Sequence, residues 1–174
     1  MEELIERAKN GDEQAFTEII VSIESDLYKI ARMRLECEDD INEAVQETII
    51  QTFKSLKKIK KPEFFKTWLI KVLINKCNKI YKKLRKNNYV EYNEMIDKSC
   101  NYEDNTNIND LDFLLLIKSL NYDERISLIL YYQENLTTKQ ISNILKVPES
   151  TIRNRISRAK VKLKKICIGG IHNG

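Results

Sequence analysis

Apolar residues in this chain return every third or fourth position, rarely every second. Leu4, Ile5 and Ala8 begin the rhythm, and Phe16, Ile19, Ile20, Ile23, Leu27, Ile30 and Ala31 carry it over a second, longer run. Such spacing puts one apolar face on each helix. Asp12 stands just before the second run, where a carboxylate can cap a helix start. A third helix is predicted from about Asp40 to Leu56, with Ile41, Ala44, Val45, Thr48, Ile49 and Phe53 as its apolar line. After a short loop holding Pro62, a long helix is expected from about Glu63 to Lys86. Residues 85–110 are rich in Asn and acids and lack periodic apolar positions, which marks a linker. Four more helices are predicted beyond it: Leu111 to Leu120, Asp123 to Tyr132, Thr138 to Leu145, and Pro148 to about Ile166. The expected fold class is all-α, with two small helical domains at 1–86 and 111–168, a flexible acidic linker at 87–110 and a tail at 169–174. With four Gly and two Pro in 174 residues, little interrupts the helices.

Charge sharpens this picture, because the modest net +4 is unevenly spread. Residues 1–56 hold 14 acidic against 6 basic side chains, whereas residues 57–86 hold 12 basic against Glu63 alone. The linker is acidic again, and the last stretch, from Arg153, adds seven basic side chains and no acid. Two separated cationic blocks suit a polyanion such as nucleic acid, although one Lys-rich block can equally be a solvated helix face. Cys37, Cys77, Cys100 and Cys167 form no CxxC pair, and His172 is the lone histidine, so neither a metal site nor a disulfide framework is suggested and no cofactor is expected. No apolar run approaches the roughly 18 residues of a membrane span, and the acidic, amphipathic start is unlike a signal peptide. A cytoplasmic protein that is not membrane-embedded is expected.

The stretch LTTKQISNILKVPESTIRNRI carries the most specific local chemistry. Thr137 and Gln140 are spaced for a capping box, Ile141, Ile144 and Leu145 give one buried face, and Val147-Pro148 turns the chain before the next helix. This reads as a helix-turn-helix, whose second helix enters the DNA major groove. Ile152, Ile156, Ala159 and Leu163 form its apolar line. Ser150, Thr151, Arg153, Asn154 and Arg155 occupy the first two turns away from that line; Arg can pair bidentately with guanine and Asn with adenine, whereas Arg158, one turn on, suits a phosphate or solvent. A helix pair that only packs other helices is the alternative.

At this level of detail the segment from Arg125 to Lys165 resembles region 4 of the sigma-70 family, through P-E-x-T-[VI]-R-x-R-[IL]-x-R-A-[RK]. Ser150 stands where the family usually has Gly. The segments DDINEAVQETIIQTFKSL and FFKTWLIKVLINKCNKIYKKLRK resemble region 2 of that family, through Val45-Gln46-Glu47-Thr48 and Thr67-Trp68-Leu69, and NGDEQAFTEII is similar to the opening of its extracytoplasmic-function group. Sigma factors of toxin and bacteriocin genes in clostridia-like bacteria are closely similar. The resemblance implies an alternative sigma factor that is not an enzyme and takes no small-molecule substrate. Its implied partners are promoter DNA, core RNA polymerase through the β′ clamp helices and the β flap, and an anti-sigma factor.

The same resemblance implies roles for named residues. Asp39, Asp40, Asn42, Glu43, Gln46 and Glu47 would dock on the polymerase, where spacing alone suggests an ordinary solvated face. Ser150, Thr151, Arg153, Asn154, Arg155 and Arg158 would meet the −35 element. Lys60, Lys61, Phe64, Phe65, Lys71, Asn75 and Lys79 would serve the −10 element and strand opening: the loop from about Ile59 to Phe65 would capture a flipped base, with Phe64 or Phe65 stacking on it. This loop lacks the family's usual Arg-Gly. Aromatics beside lysines suit that task, since stacking returns about 1–3 kcal/mol per unstacked base. Trp68 is expected mostly in the core. Two rival functions remain at this stage: a helix-turn-helix regulator acting without polymerase, and a sigma-like decoy that binds polymerase without initiating.

Overall fold

A computed structural model describes residues 1–88 and 119–171. Among the described residues, regular structure is helical and no strand occurs. The chain divides into two compact units, 1–100 and 101–174. The predicted linker from 89 onward and most of the helix predicted from Leu111 to Leu120 lie outside the described residues.

Four described helices build the N-terminal unit: α1 (Glu2–Lys9), α2 (Glu13–Arg32), α3 (Glu38–Ser55) and α4 (Phe65–Asn88). Asp12 starts α2 as its sequence position predicts, its Oδ1 accepting from the Ala15 amide at 2.9 Å. That amide, and then the Arg7 guanidinium, hold the Asp12 carboxyl below the usual carboxylate range. Between α3 and α4 run two single 3₁₀ turns, Leu56–Lys58 and Pro62–Phe64. The core joins Ile5, Ile19, Leu27, Ile30 and Leu35 to Ile41 and Val45 of α3 and to Phe65, Leu69, Ile70 and Leu73 of α4. Thr48 and Thr52 are fully buried polar residues within it, and their hydroxyls donate to the carbonyls of Ala44 and Thr48 at 2.7 Å. This internal satisfaction lets two hydroxyls sit in an apolar core. The helix predicted to end at Lys86 runs two residues further, into the span expected to be linker.

Three described helices form the C-terminal unit: α5 (Tyr122–Tyr132), α6 (Thr138–Leu145) and α7 (Glu149–Ile171). The capping box at α6 forms with both of its bonds, Thr137 to the Gln140 amide and Gln140 back to the Thr137 amide. Lys146 ends α6 in the left-handed region at φ 57°, and the Ser142 hydroxyl donates to the Val147 carbonyl at 2.6 Å. Pro148 then sits immediately before α7, where its missing N–H costs nothing. Leu120, Ile126, Ile129, Leu130, Ile141, Ile144, Ile152, Ile156 and Ala159 close the core. Helix α7 continues to Ile171, through the first part of the predicted tail.

Candidate nucleic-acid and polymerase interfaces

Helix α4 is anchored by its apolar side, which leaves a long outward face. Leu69, Ile70, Val72, Leu73, Ile74 and Cys77 are buried, and burial pushes the Cys77 thiol up to about 12, so it packs rather than reacts. Lys71, Asn75 and Lys79 follow each other at four-residue steps, which stacks them on one side of the helix, and Asn75 and Lys79 are exposed. Lys60 and Lys61 are exposed in the loop before it. Phe64 is 49% exposed, with the Lys61 ammonium 5.6 Å from its ring centroid. The arrangement offers a flat π face beside positive charge, which is what an unstacked base in an anionic strand requires.

Phe65 does not share that role. It is 1% exposed and forms the first apolar position of α4, with its ring 6.2 Å from that of Trp68. The sequence named both aromatics, and the structure retains Phe64 alone as a surface for stacking. Trp68 is partly buried, in line with an expected place mostly in the core.

Helix α3 lies between α2 and α4, and its polar residues divide among three directions. Asn42 faces α2 and accepts a 2.9 Å hydrogen bond from the Tyr28 hydroxyl. Glu47 faces α4, where the Lys76 ammonium donates to it at 2.9 Å and holds its carboxyl below the usual range. Asp40 also turns toward α4; partial burial first, then Glu43 and Asp39, push its carboxyl up, and Lys83 opposes them. Asp39, Glu43 and Gln46 point outward. The same line continues into Ile50, 46% exposed, and Phe53, 60% exposed. Phe53, which periodicity assigns to the apolar line, lies on the surface instead, its ring edge-on to Phe16 at 5.2 Å. These two residues extend the exposed α3 face: periodicity assigns Phe53 to the buried line, and leaves Ile50, on the side opposite that line, without a role. An amide and acids leading into an exposed aromatic form a surface suited to protein rather than DNA.

In the C-terminal unit α7 presents Ser150, Arg153, Asn154 and Arg158 to solvent, with Thr151 half-buried. Arg153 is held by Glu149 at 2.7 Å, one turn back. Glu149 also accepts from the Thr138 hydroxyl at 2.6 Å, and that hydroxyl, followed by Arg153, keeps its carboxyl below the usual range. Arg155 differs from its neighbours: its side chain is 20% exposed and it donates to Asp123 of α5 at 2.6 Å. Neither a metal-ligand cluster nor a helix long and apolar enough to cross a membrane occurs among the described residues.

Comparison with known proteins bears on both units. The family model for sigma-70 region 2 matches residues 19–88, and that for sigma-70 region 4 matches residues 110–163. The chain is 25% identical over 173 residues to an ECF RNA polymerase sigma-E factor of Haemophilus influenzae, covering 90% of this chain and 89% of that protein. It is 26% identical over 147 residues to the RNA polymerase sigma factor SigV of Bacillus subtilis, covering 84% and 87%. Among solved structures, the sigma factor RpoE of Bartonella quintana, in complex with the anti-sigma factor NepR, shares the fold with a TM-score of 0.69 at 22% identity, covering 87% of this chain and 96% of that one. CnrH, in complex with the cytosolic domain of CnrY, has a TM-score of 0.66 at 19% identity, covering 97% of each chain.

Proposed function

The chain belongs to the sigma-70 family, with extracytoplasmic-function sigma factors among its relatives, and from that premise we propose how an alternative sigma factor directs transcription with these residues. The exposed α3 line of Asp39, Glu43 and Gln46, with the half-exposed Glu47 at its edge and Ile50 and Phe53 carrying it on, docks on the β′ clamp helices of core RNA polymerase. The C-terminal unit inserts the start of α7 into the major groove of the −35 element and rests against the β flap. The N-terminal unit then opens the −10 element. Unstacking a base costs a few kcal/mol, which a stack on Phe64 offsets while Lys60, Lys61, Lys71 and Lys79 hold the freed strand. Bond-making chemistry belongs to the polymerase, so no catalytic group is needed here. The protein works in the cytoplasm, where the polymerase is, and an anti-sigma factor covers one of these faces until initiation is required.

One observation carries this reading above a regulator acting alone. Alongside two cationic helices, α3 exposes a third surface, acidic and apolar, that a DNA-only protein would not use. Run-off transcription with purified core polymerase on a genomic fragment library tests it: discrete transcripts should depend on this protein. Capture of polymerase without any transcript would favour a decoy, and duplex binding without polymerase capture would favour a stand-alone regulator.

A further inference from the structure

Arg155 sits in the first turns of the reading helix, yet it is tied to another helix. Helix α5 begins with adjacent acids, and each holds a cation of α7. Asp123 takes the Arg155 guanidinium at 2.6 Å, and Glu124, buried at 4% exposure, takes the Lys162 ammonium through both oxygens at 2.7 and 3.0 Å. At its other end α5 finishes with Tyr132, whose ring lies 5.0 Å from the Lys160 ammonium.

Helix geometry gives these ties a direction. At about 100° per residue, Arg155 and Lys162 fall roughly 70–90° to one side of the buried line through Ile152, Ile156 and Ala159, and Lys160 falls about as far to the other. Helix α5 therefore passes beneath α7 and grips both flanks. The side opposite the buried line, midway between the ties, carries Ser150, Asn154, Arg158 and Val161. Apolar packing alone leaves a helix free to roll by a fraction of a turn, because Ile and Ala side chains carry little directional preference. Ion pairs on one flank and a cation–ring contact on the other remove that freedom.

We propose that Arg155 is a positioning residue and not a base reader: with Asp123, and alongside the Lys162–Glu124 pair, it sets the rotation of α7 so that Arg153, Asn154 and Arg158 meet the groove at a fixed angle. This rests on the reading of the C-terminal unit as the −35 recognition domain. An arginine whose side chain is 20% exposed and whose guanidinium is held by an acid of another helix is not free to turn its fork toward a guanine edge. Its effect on DNA passes through the orientation of its neighbours.

The test selects promoters from a library randomised across the −35 region, using holoenzyme reconstituted with full-length protein. Arg155→Ala and Asp123→Asn should each weaken binding to the wild-type consensus by about fivefold, the scale of a partly shielded ion pair. The double variant should be no weaker than either single one, and all three should keep the wild-type order of preferred bases. Arg155→Lys should recover most of the binding, since an ammonium can still pair with Asp123 although it lacks the planar fork that an arginine presents to a guanine edge. Loss of preference at one base pair in Arg155→Ala or Arg155→Lys, with Asp123→Asn unaffected there, would overturn the assignment. So would multiplying effects in the double variant, or tighter binding by Asp123→Asn, which would mark that carboxylate as mere repulsion of phosphate. If wild-type holoenzyme selects no −35 sequence at all, the recognition role of the unit fails and the assignment falls with it.

Discussion

Helices α4 and α7 are both long, cationic and assigned to DNA, but they are held differently. Helix α4 is fixed mainly by a dense apolar side, Phe65 through Cys77, with Lys66 and Lys76 tied to Asp26 and Glu47, while Lys79, Lys82 and Lys83 are exposed on flexible stems. Helix α7 buries a thinner line, Ile152, Ile156 and Ala159, and gains side-chain ties to α5 and α6. Under the proposed roles the contrast fits two different substrates. A freed single strand has no fixed shape, so mobile charges and a stacking ring suit it. A duplex base edge must be met at one angle, so the reading helix needs directional bonds.

The sharpest break in that comparison is at the start of α4, where neighbouring aromatics are assigned unrelated tasks. Phe65→Ala should destabilise the N-terminal unit by about 3–5 kcal/mol, as removal of a fully buried Phe does, and thermal unfolding would register it. Phe64→Ala should leave the melting temperature near wild type while lowering strand opening roughly tenfold, read by permanganate reactivity of the −10 region. Matching stability losses in the two variants would show that Phe64 is also a core residue.

Next in size is the α3 face. Glu47→Lys should reduce capture of core polymerase by roughly tenfold or more, because the reversed charge opposes a surface complementary to acids. The same substitution sets a second ammonium beside Lys76, so Glu47→Gln is the necessary companion: it should weaken capture less while releasing Lys76. Phe53→Ala should weaken capture with little change in stability, given its 60% exposure. Undiminished capture by all three variants would remove α3 from the interface.

Much of this is legible in the sequence. The helix starts, the Asp12 cap, the Thr137–Gln140 box and the cationic blocks all follow from local rules, since each depends on residues a few positions apart. What failed was the assignment of faces. Phe53 continues the phase of Ile49, so periodicity cannot tell a core residue from an exposed one where a helix outruns its partners. Phe65 was legible in principle: with Leu69, Val72 and Leu73 it forms the i, i+4, i+7, i+8 line of a buried helix face. Arg155 was not legible, because Asp123 lies 32 positions away and their meeting depends on how α5 crosses α7.

A smaller effect separates the two kinds of DNA contact. Arg153→Ala should cost about 1–3 kcal/mol of discrimination at one base pair of the −35 element and little elsewhere. Lys79→Ala should weaken binding evenly across promoter sequences and reduce the slope of log affinity against log salt by about 0.7 to 1, as one phosphate contact does. Competitive binding on promoter variants over a salt series measures both. Base-specific loss from Lys79, or uniform loss from Arg153, would exchange their roles.

The finest test concerns Glu149, which joins the turns of the helix-turn-helix by accepting from Thr138 while holding Arg153. These partners keep its folded carboxyl below the usual glutamate range. A depressed carboxyl contributes stability that is fully present above its unfolded value and lost as pH falls through the folded one. Melting temperatures of wild type and Glu149→Gln should therefore differ by a constant small amount at neutral pH, with wild type higher. The gap should begin to close on entering the ordinary glutamate range and vanish below the folded value, where both side chains are neutral. Comparing the two proteins cancels every other acid that titrates over the same interval, Asp12 included. A gap unchanged from neutral to strongly acidic solution would mean that the hydroxyl and the guanidinium respond to the shape of this side chain rather than to its charge.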